Sequence, residues 1–120
     1  MSNRSRCLTI TLIGALSAAT PAFAHAHLLS ATPAVDSKGP APTALVLHFS
    51  EALEKKFSKV SIVTAAGKDV ALNVAFDPKD VKAMTATPSA PLAAGTYKVN
   101  WTAVTPDTHK LTGSYNFTVQ

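Results

Sequence analysis

Apolar and polar residues alternate with a period of two along much of this chain. The pattern is cleanest over residues 96–104. Tyr97, Val99, Trp101 and Ala103 share one face there, and Lys98, Asn100 and Thr102 share the other. Successive side chains of an extended strand point to opposite sides, so this pattern predicts a strand with one buried face. Residues 44–50 repeat it, with Leu45, Leu47 and Phe49 opposite Val46, His48 and Ser50. Residues 114–120 do so again, with Tyr115, Phe117 and Val119 directed inward. Weaker β-rich runs cover 27–31, 59–65, 69–76 and 83–87, while the polar residues 51–56 predict a helical turn.

Turn chemistry separates these runs. Asp36, Gly39, Pro40 and Pro42 mark residues 35–43 as a loop, and Ala66-Gly67-Lys68 predicts a hairpin turn joining 59–65 to 69–76. Asp77-Pro78-Lys79-Asp80 and Ala94-Gly95 are further turns, and 105–113 reads as a loop. Seven short strands with almost no helical period predict an all-β fold. The expected architecture is a Greek-key β-sandwich, immunoglobulin-like or cupredoxin-like.

The first residues have a different character. Arg4 and Arg6 precede an apolar run over residues 8–19, and Ala22-Phe23-Ala24 fits a signal-peptidase site. The run is too short for the ~20 residues of a spanning helix, so residues 1–24 are expected to be a cleaved export signal. Cleavage would remove Cys7, the single cysteine, and leave a domain over 25–120 with no disulfide. The charge also changes. The formal +4 of the whole chain falls to +2 without the two arginines, and the nine lysines are scattered. They read as a solvated surface, with no case for nucleic-acid binding.

Candidate chemistry gathers at the two ends of the mature part. A cut after Ala24 makes His25 the N-terminal residue. Its free amine and its imidazole then lie close enough to chelate one metal ion, which an internal residue cannot do because its backbone nitrogen is a non-basic amide. Asp107 and His109 are separated by one residue, and in an extended segment both side chains point the same way. Three nitrogens and a carboxylate suit Cu(II) in tetragonal geometry. Met84 is the only methionine beyond the initiator, so a soft Cu(I) site is hard to build. His27 offers another mode, in which the His-Ala-His terminus binds Cu(II) through deprotonated amides. A cut after Ala26, also consistent with the small-residue rule, would make His27 itself terminal. Glu51, at the end of the 44–50 strand, reads as a rim carboxylate, and His48 as an ordinary strand histidine.

These residues resemble the bacterial copper-resistance protein C (CopC) family over essentially the whole mature part. The matching stretches are His25-Ala-His-Leu-Leu-Ser-Ala-Thr-Pro-Ala34, Leu47-His-Phe-Ser-Glu51, and Gly95-Thr-Tyr-Lys-Val-Asn-Trp-Thr-Ala-Val104 followed by Asp107-Thr-His109 and Gly113. The resemblance implies a periplasmic β-sandwich that binds one Cu(II) per chain, with the cut after Ala24. It places the ligands on His25, Asp107 and His109, with Glu51 beside the metal, and implies an inner-membrane copper transport partner of the CopD kind. Some members carry a methionine-rich Cu(I) segment; residues 63–76 here contain no methionine. The expectation is a monomeric, non-enzymatic copper binder. Two alternatives stand beside it. One is a copper redox enzyme built on a histidine brace, and the other is an accessory β-sandwich without metal.

Overall fold

The computed structural model describes residues 26–120, and the expected signal peptide and His25 lie outside the described residues. Among the described residues, eight strands form two four-stranded sheets. They are β1 (Leu28–Thr32), β2 (Lys38–Gly39), β3 (Leu45–Phe49), β4 (Lys59–Thr64), β5 (Leu72–Asp77), β6 (Asp80–Pro88), β7 (Gly95–Val104) and β8 (Lys110–Val119). One sheet has the order β1-β3-β6-β5 and the other β2-β8-β7-β4. This is the all-β sandwich that the alternating pattern predicts, and among the described residues there is no α-helix.

The inward faces are those expected. Leu45, Leu47 and Phe49 of β3 meet Tyr97, Val99, Trp101 and Ala103 of β7 and Tyr115, Phe117 and Val119 of β8, all buried. Met84 is fully buried on β6, where it acts as a core apolar side chain. Two aromatic contacts tighten the core. Phe49 meets Trp101 edge-on with centroids 5.1 Å apart, and Tyr97 stacks on Phe117 at 5.4 Å. Such pairs add about 0.5–1.5 kcal/mol beyond area burial. The Phe49–Trp101 contact joins the two sheets at the end of β3, one residue before Ser50 and two before Glu51.

The structure departs from the sequence reading in four places. The loop over 35–43 contains β2, which runs parallel to the end of β8. That pairing depends on a partner some eighty residues away, which no local pattern reveals. The 59–65 and 69–76 runs do not form a paired hairpin. The turn exists, with Thr64 N–H donating to the Lys68 carbonyl and Gly67 at φ 80°. After the Val63–Asp69 bridge, however, the chain crosses to the other sheet, so β4 pairs β7 and β5 pairs β6. The last strand starts at Lys110 rather than 114, because β7 and β8 pair in continuous register from Gly95–Val119 to Val104–Lys110. Gly113, which read as loop, lies opposite Trp101 in that ladder. Finally, the turn expected over 51–56 is displaced: Phe57 and Ser58 N–H both donate to the Glu54 carbonyl.

Segment 51–58 is strapped across one end of the sandwich. Leu53 N–H donates to Val81 O at 2.9 Å and Glu54 N–H to Val104 O at 2.6 Å. Buried Ser58 Oγ accepts from Val104 N–H at 3.0 Å. This end carries Glu51, the β7–β8 loop and the entry of the chain at Ala26.

Candidate metal centre

The β7–β8 loop is now only residues 105–109. It is closed at its base by Thr105 N–H donating to His109 O at 3.0 Å, and inside by Thr108 N–H donating to Thr105 O at 2.9 Å. Thr108 has φ 70°, the left-handed region that a branched residue rarely adopts. Asp107 and His109 are therefore not on an extended segment as the sequence reading assumed. The turn at 106–107 and the left-handed Thr108 bring the two side chains together instead. His109 Nδ1 lies 2.9 Å from Asp107 Oδ2, and both side chains are exposed.

Buried Thr105 holds this pair in place. Its hydroxyl donates to Asp107 Oδ1 and also lies 3.4 Å from His109 O. The Thr105 hydrogen bond, followed by the neighbouring His109 charge, holds the Asp107 carboxyl below the usual carboxylate range, with desolvation acting in the opposite sense. Asp107 is thus an oriented anion at neutral pH. Sequence reasoning missed Thr105, since a threonine two residues before an aspartate is common, and only its burial distinguishes this one.

Glu51 is half-buried and shares a cleft of about 310 Å³ with Ala52, Thr105, Pro106 and Asp107. The structure therefore brings Glu51 to the D-x-H loop. Among the described residues, no three His, Cys, Asp or Glu side chains form a cluster able to hold an ion. His48 is elsewhere. It points from β3 toward Asp80, with Nδ1–Oδ2 3.5 Å, and is partly exposed as expected of a strand histidine.

The chain entry is firmly held. Ala26 is buried in the core. His27 N–H donates to Ser50 Oγ at 3.0 Å, His27 Nδ1 lies 3.2 Å from the same oxygen, and Ser50 N–H donates to His27 O. The β1–β3 pairing, in which Leu28 faces Phe49, thus continues past the strand ends. Going backward from Leu28, the chain runs alongside Ser50 toward the Glu51 end of the sandwich.

Two antiparallel-rich sheets packed face to face, with an oriented carboxylate–imidazole pair on a rim loop, define a small β-sandwich whose polar chemistry is concentrated at one end. The chain belongs to the CopC family: the CopC domain matches residues 28–120. It is 44% identical to copper resistance protein C of Pseudomonas syringae pv. tomato over 98% of both chains. Among solved structures it is similar to PcoC, a methionine-rich copper resistance protein from Escherichia coli, with TM-score 0.75 and 43% identity, covering 81% of this chain and all of that one. It is also similar to CopC from Methylosinus trichosporium OB3b, with TM-score 0.75 and 28% identity over 80% and 94% of the chains. The family is not an enzyme family, and the histidine-brace oxygenase alternative is set aside with it.

Proposed function

We propose that this chain is an exported periplasmic copper-binding protein, cut after Ala24, that holds one Cu(II) through the His25 amine and imidazole together with Asp107 and His109. Glu51 stands beside the ion. The single observation that carries the reading is the Asp107–His109 pair held by Thr105 at the end of the sandwich where the chain enters. Residue 25 is one peptide, about 3.8 Å between Cα atoms, from the buried Ala26. The pairing of His27 with Ser50 and of Leu28 with Phe49 brings the described start of the chain to the end of the sandwich that carries Glu51, which shares a cleft with Asp107. Imidazole and amine nitrogens with a carboxylate suit Cu(II) ahead of Zn(II) or Ni(II). The competing His-Ala-His chelate needs a deprotonated His27 amide, and that amide is hydrogen-bonded to Ser50. Sequestration or delivery to an inner-membrane CopD-like importer is the role such a monomeric binder would serve in copper resistance.

The test is a competitive Cu(II) titration of two proteins, one beginning at a free His25 and one with Met-Ala before it. The extension is expected to weaken binding sharply, since it replaces the amine by an amide. Equal affinities would place the site elsewhere. Binding is also expected to weaken at acid pH, because the amine and both imidazoles must lose protons to coordinate.

A further inference from the structure

Three of the lysines that look scattered in sequence converge in space. Lys56 and Phe57 sit on the turn before β4, Lys59 opens β4 and Lys110 opens β8. With Thr102, Val104 and Thr108 they line a concave cleft of about 710 Å³. The strand register explains the convergence, since Lys59 lies opposite Thr102 and Val104 opposite Lys110. All three lysines are exposed, and among the described residues none is ion-paired with a carboxylate. Phe57 is 60% exposed beside them, the most exposed aromatic of the described residues.

We infer that this cleft docks an acidic protein segment carrying an apolar side chain, which seats against Phe57 and Val104 while its carboxylates face Lys56, Lys59 and Lys110. Unpaired ammonium groups around one cleft repel one another and attract an anionic partner, which raises its rate of encounter. The exposed aromatic asks for more than a small anion, because an inorganic ion leaves its apolar surface wet. The recess favours a protruding peptide over a flat lipid surface, and its volume has room for a few side chains. Thr108 lines the cleft and stands between Asp107 and His109 in the chain. A segment docked here therefore sits next to the D-x-H loop. Docking in this cleft requires no bound copper.

The probe is a capped pentapeptide with leucine flanked by two glutamates on each side, titrated into ¹⁵N-labelled protein in the absence of metal. Saturable shifts are expected at the amides of residues 56–59, 102–104 and 108–110, weakening with added salt. Phe57→Ala, and separately Lys59→Glu with Lys110→Glu, are expected to weaken binding roughly tenfold or more. If Phe57→Ala fails to fold, Lys110→Gln carries the same expectation in smaller measure. Shifts spread equally over Lys68, Lys79 and Lys98, or no saturable shift, would overturn the proposal. So would the same shifts from inorganic phosphate at equal concentration, or displacement of the peptide by phosphatidylglycerol vesicles acting on the same amides.

Discussion

At the scale of single residues, the arrangement around Asp107 rests on one hydroxyl. Thr105 is buried and aims its Oγ1 at Asp107, so the carboxylate is oriented before any ligand arrives. Thr105→Val keeps the shape and removes the donor. It is expected to raise the Asp107 pKa toward the ordinary value, as followed by NMR. On the proposed ligand set, it should also lower Cu(II) affinity by about 10–100-fold with the fold intact, as loss of a group that orients a ligand does. Asp107→Ala and His109→Ala should each weaken Cu(II) binding further, and unchanged affinity in both would remove the D-x-H loop from the site. Because the Asp107 pKa is lowered on folding, its stabilising contribution is present above the unfolded value of 3.8. It is lost as pH falls through the folded value. The loop should therefore loosen only in strong acid.

At the scale of the element, β7 and β8 form the longest ladder and carry the D-x-H loop between them. Gly113 is what lets that ladder close over the indole of Trp101. A Cβ at this position would collide with Trp101 Cζ2 and lie 2.6 Å from Cε2, inside the limit for real contacts. The ring is in the core against Phe49 and has little room to yield. Gly113→Ala is expected to destabilise the domain by about 1–3 kcal/mol through overpacking. A lower denaturant midpoint with a shifted Trp101 emission would report it. In the other sheet, Leu47 on β3 gives the opposite case. It is fully buried, and Leu47→Ala should cost about 2–5 kcal/mol by leaving a cavity.

At the scale of the whole molecule, the two sheets enclose one core with one buried side-chain polar atom lacking a partner among the described residues, the Tyr115 hydroxyl. Desolvation pushes its pKa up to about 12. A pKa raised on folding means full stability below the unfolded value of 10 and a decline between there and about 12, as the unfolded chain alone ionises. Tyr115→Phe should remove that part of the alkaline decline. At neutral pH it should leave stability unchanged or raise it by up to about 1 kcal/mol, since no hydrogen bond is lost. Denaturation curves of both proteins at pH 8 and pH 11 check this, the lysines contributing equally to each.

Much of this molecule was legible from local pattern. The buried faces of β3, β7 and β8 follow from period-two alternation, because a strand's geometry is set residue by residue. The family resemblance was likewise carried by short contiguous motifs, and it pointed to Glu51, Asp107 and His109 before any coordinates. What pattern could not supply depends on contacts between distant segments. Only the tertiary structure decided that β2 pairs with β8, that β4 and β5 part to different sheets, and that Gly113 is a ladder residue beneath Trp101. It alone put Glu51 in a cleft with Asp107, set Thr105 under the carboxylate, and drew Lys56, Lys59 and Lys110 around Phe57. Each of these is a meeting of residues whose separation along the chain carries no signal, because the sandwich, not the local sequence, sets which strands become neighbours.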